Sequence, residues 1–419
     1  MITSNAALYR AKEHSLSLLL IVSISVAFFS SINFQLLSIG FYDHINIAFD
    51  FDQAWFFDML AYPPEAWKHR VAQETAPLLI KHPFIYLYRF PCELLQHLGV
   101  NPELSVVLLS LMFHTGTLVL SYFIFLKILE SPRKATFMTW FMMLSSTYLA
   151  NGIVLDTYVL AGFWIACCFS LYLKELTEDS LNTNWLKILV YVMAIGTTTY
   201  LLLLVLILEI SLVWSKKAKH DSKELIYYLF QGVIKSIGLF FILFCLCYYQ
   251  NIISILSDPV GVIKRTLWAV ARPGEKEGII SIINTFVIHT FVAPFHSIVM
   301  IEKDISMADF RNGGFHFLGY ILILPLLVLH VLSFKTKSPL LFVSIAWLMI
   351  TMMFHVEYQD RGSLFLYTGH TMLASAIVIA LGLRAFNVKV GWILPTFLIV
   401  FLGYNNIQSI YSAIESVLF

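Results

Sequence analysis

Apolar runs close to the length that crosses a bilayer recur along this chain from about residue 15 to residue 408. A helix needs about 20 predominantly apolar residues to span the hydrocarbon core. Composition agrees with that reading. The 419 residues are 59% hydrophobic and 13% charged, with mean hydropathy +0.78. Soluble domains carry about 45–50% apolar and about 25% charged residues, so a soluble enzyme is excluded. Disorder is excluded too, because it needs low hydrophobicity and high charge. A net charge of +1 offers no basic field for nucleic acid. Five cysteines, Cys92, Cys167, Cys168, Cys245 and Cys247, lack the spacing of a secreted framework.

The expected fold is therefore an all-α polytopic membrane protein forming a single domain over residues 1–419. The first span covers about 15–41, with Arg10 and Lys12 before it, which places the N-terminus in the cytoplasm. Ten more follow, at about 104–127, 136–153, 157–174, 185–199, 200–214, 225–248, 316–334, 338–355, 364–384 and 391–408. The stretch 185–214 is divided at Gly196-Thr197-Thr198-Thr199, where Gly and Thr weaken a helix. The apolar stretch 279–301 holds His289, Pro294 and His296, and is expected in the interface plane or as a re-entrant segment. With these eleven spans, fifteen of the 27 Lys and Arg fall in short cytoplasmic segments, as positive-inside sorting requires. Making 279–301 a crossing, or fusing 185–214, breaks that pattern. Two long external loops remain, about 42–103 and 249–315. No clear internal repeat is visible, which weighs against transporters built from repeated halves.

Polar chemistry gathers in the external segments. Phe49-Asp50-Phe51-Asp52-Gln53 follows the first span directly. Carboxylates there can meet a lipid headgroup, as a general base on an acceptor hydroxyl or as oxygen ligands to a divalent cation. Solvated loop charges or helix caps are the plain alternative. Lys81-His82-Pro83-Phe84 then suits the start of a juxtamembrane helix, where a lysine and helix N–H groups attract a phosphate. Lys81 equally suits an interface anchor. Asp156-Thr157-Tyr158 occupies a short external turn, with a helix cap as its simpler role. Arg272 belongs to a basic stretch that could instead attract anionic lipid. The last cluster, His355 to Arg361, contains Tyr358 and leads into Phe365-Leu366-Tyr367-Thr368-Gly369-His370. Arg361 could clamp a phosphate or pair with Glu357 or Asp360. No nucleotide-binding or zinc motif is present.

The order of these motifs resembles the GT-C superfamily of integral-membrane glycosyltransferases, which includes aminoarabinose, arabinosyl and mannosyl transferases. There a first span precedes an external loop opening on acidic residues, here Asp50 and Asp52. A Lys/His-Pro element follows, here Lys81-His82-Pro83, and then an acidic-Thr-aromatic element, here Asp156-Thr157-Tyr158. A late Phe-Leu-Tyr-Ser-x-His is similar to 365–370, with Thr368 in place of Ser. The acidic element is Asp-x-Asp rather than an adjacent pair, which leaves open which Asp is catalytic. No soluble C-terminal sugar-binding domain follows residue 408.

The resemblance implies a GT-C-like fold with juxtamembrane helices in periplasmic loops. It also implies a polyprenyl-phosphate-linked sugar donor and a glycan, lipid or protein acceptor. Asp50 or Asp52 would be the base. Lys81, His82, Arg272 and Arg361 would bind the donor phosphate. Asp156, Tyr158, Tyr358, Tyr367 and His370 would shape the donor pocket. Short loops and the absence of an organelle signal point to a bacterial inner membrane with the site facing the periplasm. A divalent cation is optional, since neighbouring Lys and Arg can replace its charge. Two other classes compete: an O-antigen ligase or polymerase using polyprenyl-diphosphate glycans, and a non-enzymatic lipid-linked sugar flippase or transporter.

Overall fold

Polar residues between the apolar runs act as caps, and so decide where each helix starts. In a computed structural model, residues 2–43, 47–49, 51, 53–63, 66, 81–178, 184–217, 220–248, 257–261, 277–302, 305–310, 313–357, 364–386 and 393–418 are described. Helix α1 is Ile2–Ser38, α2 is Gln53–Ala61, α3 is Ile85–His97 and α4 is Pro102–Leu129. Asn101 caps α4, its Oδ1 accepting from the Glu103 N–H at 2.9 Å, and Pro102 needs no partner in the first turn. Ser131 caps α5 (Pro132–Met143), and Ser145 caps α6 (Ser146–Ile153). Asp156 caps α7 (Thr157–Thr177), and Asn184 caps α8 (Trp185–Thr197). Next come α9 (Leu201–Lys216), α10 (Ser222–Cys247) and α11 (Ile279–Asn284). The chain ends with α12 (Phe317–Ser333), α13 (Pro339–Glu357), α14 (Met372–Ala385) and α15 (Ile393–Leu418).

Seven helices among the described residues are long and apolar enough to cross a membrane. They are Glu13–Ser38, Pro102–Leu129, Thr157–Thr177, Ser222–Cys247, Phe317–Thr336, Pro339–Val356 and Thr396–Leu418. The protein is thus a multi-pass, helical membrane protein. Leu16, Leu19 and Leu20 on α1, and Phe241, Ile242 and Leu246 on α10, are exposed. In water they would be a liability; against lipid tails they are the expected outer surface. The opposite case is α14, whose residues 372–382 are all buried. A helix apolar on every side belongs at the centre. It packs against α12, α13 and α4.

Three segments differ from single spans. Residues 136–153 divide into α5 and α6 at Leu144-Ser145, because Ser145 begins a new cap. The break in 185–214 lies where Gly and the threonines stand: α8 ends at Thr197 and α9 begins at Leu201. Residues 279–301 do not form one helix. There α11 continues as a π-helical turn, Thr285–His289, and then unwinds into a strand.

That strand, β2 (Ser297–Glu302), pairs antiparallel with β3 (Ile305–Asp309). The short strand β1 (Ile47–Ala48) pairs parallel with β3. This three-stranded sheet, unexpected from the sequence, ties the first long loop to the second.

Candidate functional site

The sheet fixes the neighbourhood of the acidic motif. Asp50 and Asp52 themselves lie outside the described residues, as do Arg272, Tyr358 and Arg361. Their neighbours Phe49, Phe51 and Gln53 are buried. Phe49 has φ +59°, a left-handed conformation that costs a bulky residue energy. Two contacts hold it there. Its N–H donates to the Ala308 carbonyl at 2.7 Å. Its ring packs with Phe310 at 4.6 Å and Phe365 at 5.2 Å. A non-glycine residue kept in this conformation beside a candidate base is the kind of local strain that clusters at functional sites.

From this anchor a chain of rings leads across the helices. Phe51 meets Tyr158 edge-on at 6.1 Å. Tyr158, in the first turn of α7, lies 4.6 Å from the His370 ring and 6.4 Å from Tyr367. Tyr367 stacks on His355 at 3.9 Å. Residues 365–370 form a short 3-10 helix, held on several sides. The Trp347 indole N–H donates to the His370 carbonyl at 2.8 Å. The Thr368 and Thr147 hydroxyls lie 2.6 Å apart. His370 therefore sits just before α14 rather than within it.

Lys81 and His82 dock on the corner between α8 and α9. The Thr199 N–H donates to the Lys81 carbonyl at 3.1 Å, and the Phe84 N–H to the Gly196 carbonyl at 2.6 Å. Gly196 is needed here, because a Cβ would fall 1.9 Å from the Phe84 ring. The next residue along the corner, Tyr200, places its ring 6.0 Å from His370. Trp55 of α2 lies 6.0 Å from the His82 ring. The helix after this motif begins at Ile85, two residues beyond Pro83. Its residues Leu87, Phe90 and Leu94, continued by the C-cap Leu98, form an exposed apolar stripe, while Ile85, Tyr88 and Cys92 are buried. That division suits a helix lying on the bilayer surface.

The chemistry of His82 is more specific than the sequence suggests. Its Nδ1 lies 2.9 Å from the Thr197 carbonyl, which can only accept, so Nδ1 carries the proton. Burial pushes its pKa down to about 4; the Thr197 carbonyl opposes the shift and the Lys81 charge adds to it. Neutral His82 therefore offers a lone pair at Nε2 and accepts a hydrogen bond. It would contact a phosphate as a donor only after protonation.

Asp156 performs the capping role, accepting from the Thr157 N–H. Among the described residues, no group of three or more His, Cys, Asp or Glu is placed to hold a metal. Phe51, Tyr158, Tyr367, His370 and His82 thus converge from four distant stretches. Trp55 and His355, the first residue of the last external cluster, join them, and so does Tyr200, which was not singled out although a tyrosine just after a Gly-Thr break marks a helix corner. Comparison of the sequence with known protein families and with curated proteins finds no match in either.

Proposed function

We propose that the protein is a GT-C-type glycosyltransferase of a bacterial inner membrane. It would have about eleven spans and a periplasmic site that moves a sugar from a polyprenyl-phosphate donor to a glycan, lipid or protein acceptor. The supporting observation is the convergence just described: the flanks of an Asp-x-Asp motif, a Lys-His corner and an aromatic wall meet in one place. In this reading Asp50 or Asp52 takes the proton of the acceptor hydroxyl. The hydroxyl oxygen bonds to the anomeric carbon as the bond from that carbon to the phosphate oxygen breaks, with inversion. Lys81, Arg272 and Arg361 neutralise the charge gathering on the leaving phosphate. Tyr158, Tyr358, Tyr367 and His370 wall the sugar, and Asp156 fixes the start of α7 beneath Tyr158. His82, neutral at pH 7, accepts a hydrogen bond from a substrate hydroxyl rather than binding phosphate.

The test mixes purified protein in lipid with a polyprenyl-phosphate sugar and an acceptor extract, and measures released polyprenyl phosphate. Asp50→Asn or Asp52→Asn should lower release at least a hundredfold at unchanged protein level. Full release by both variants, or donor movement across the bilayer without release, would overturn the assignment.

A further inference from the structure

A small cavity lies inside the helix bundle, directly behind the aromatic wall. It has room for about one water molecule, about 20 Å³, and is lined by His114 and Thr117 of α4, Asn151 of α6, Tyr158 of α7 and Gly369. His114 is 3% exposed and Asn151 is 6% exposed. His114 Nε2 and Asn151 Oδ1 have no hydrogen-bond partner among the described residues. The rest of the lining is largely apolar, including Met142, Ile165 and Leu373.

Two buried polar atoms left unsatisfied are expensive, and the expense is greater where lipid excludes water. A cavity of this size holds a water if two or more polar groups face it. Both residues line the same cavity, and their unpaired atoms are an imidazole nitrogen and an amide oxygen, groups that an O–H can satisfy. His114 cannot turn away readily. Its ring lies 3.9 Å from Tyr148, tilted by 31°, and meets Phe29 edge-on at 4.4 Å. The Tyr148 hydroxyl donates to the His114 carbonyl. Gly369 keeps the space open, since a Cβ there would fall 2.8 Å from Tyr158 and 2.9 Å from the Asn151 amide nitrogen.

We infer that His114 and Asn151 form a binding site for one hydroxyl group. A water fills it in the resting protein, and a hydroxyl of a bound sugar replaces that water. Only the second source rests on the proposed function. The site sets a size limit, because it accepts an O–H and has no space for an N-acetyl or carboxyl group.

The experiment has two arms. A map of the full chain in nanodiscs, at a resolution that shows ordered waters, should contain one peak within hydrogen-bond distance of both His114 Nε2 and Asn151 Oδ1. A direct bond between the two side chains, or an empty cavity beside well-resolved waters elsewhere, would sink the site whatever the protein's activity. In the second arm, the ¹⁵N resonance of His114, assigned through His114→Gln, is followed while undecaprenyl-phosphate glucose is added. A shift that is lost in Asn151→Leu identifies the sugar hydroxyl as the occupant. An unmoved resonance, with the peak still present, identifies water as the permanent occupant and removes the sugar half of the inference.

Discussion

Lys187 has no exposed side-chain surface, yet it carries a charge inside a helix bundle. Its ammonium lies 2.7 Å from Glu175 and 2.6 Å from Glu209, and donates to the Tyr228 hydroxyl at 2.7 Å. Tyr191 donates to Glu209 at 2.6 Å. Four helices, α7 to α10, meet at this one side chain. In sequence Lys187 is one of the fifteen Lys and Arg counted into the cytoplasmic segments; only the packing reveals its partners. Removing one member of a buried charge network strands the others, which costs about 3–5 kcal/mol. Lys187→Met should therefore cost about that much, read from unfolding in mixed detergent micelles. Adding Glu175→Gln and Glu209→Gln should recover part of the loss. A single variant as stable as the wild type would show that the network contributes nothing. His82 makes a second prediction, about pH. Its pKa is about 4 when folded and about 6.5 when unfolded. Between those values the unfolded chain holds a proton that the folded chain lacks. Its contribution to stability is complete above pH 6.5 and is lost as pH falls toward 4. Wild-type protein should thus lose more thermal stability between pH 7 and pH 5 than His82→Asn does; equal losses would show that His82 does not titrate this way.

Irregular backbone at membrane depth must find its hydrogen bonds inside the protein. The unwound stretch after the π-helical turn does so through two asparagines on α15. Asn406 Oδ1 accepts from the Ala293 N–H at 2.8 Å, and its Nδ2 donates to the Leu144 and Phe291 carbonyls at 2.8 and 2.6 Å. Asn405 donates to the Ala293 carbonyl at 2.9 Å. One side chain therefore seals both the break between α5 and α6 and the turn that leads to β2. Asn406→Leu should destabilise by about 2–4 kcal/mol, since it leaves several buried backbone groups unpaired. Asn406→Asp keeps the acceptor for Ala293 but turns a carboxylate oxygen toward the Leu144 and Phe291 carbonyls, so it should cost at least as much. A much smaller loss in Asn406→Asp than in Asn406→Leu would mean that the two bonds from Nδ2 do not matter. The sequence shows part of this element. His289, Pro294 and His296 disqualify 279–301 as a plain span, and the caps at Asn101, Ser131, Asp156 and Asn184 can be read from single letters. The adjacent asparagines at 405–406 are equally visible, but their partners lie over a hundred residues away. The sheet was not legible, because β1 has two residues and no periodicity can show in two.

At the scale of the whole molecule, the sheet is a statement about topology. Strand β1 belongs to the loop after the first span, and β2 and β3 belong to the loop before α12. Hydrogen-bonded strands cannot sit on opposite faces of a bilayer, so an even number of crossings must separate the two loops. Between them lie α4, the broken pair α5 and α6, then α7, α8, α9 and α10, which make six crossings if α8 and α9 each cross. Fusing α8 with α9 would leave five and pull the sheet apart. The same parity holds later. Phe310 and Phe365 touch at 4.7 Å across α12 and α13, which are two crossings. Charge sorting and strand pairing are independent arguments, and both are met if the two halves of 185–214 cross separately. On that count the juxtamembrane stripe on α3 and the basic turn after α9 face opposite sides. In a cysteine-free background, Leu98→Cys should react with an impermeant maleimide on intact bacterial cells, while Lys217→Cys should react only after the membrane is opened. Leu98 and Lys217 labelling from the same side would require an odd count between the loops. The sheet, the aromatic chain from Phe51 to His370 and the proposed active site would then fail together.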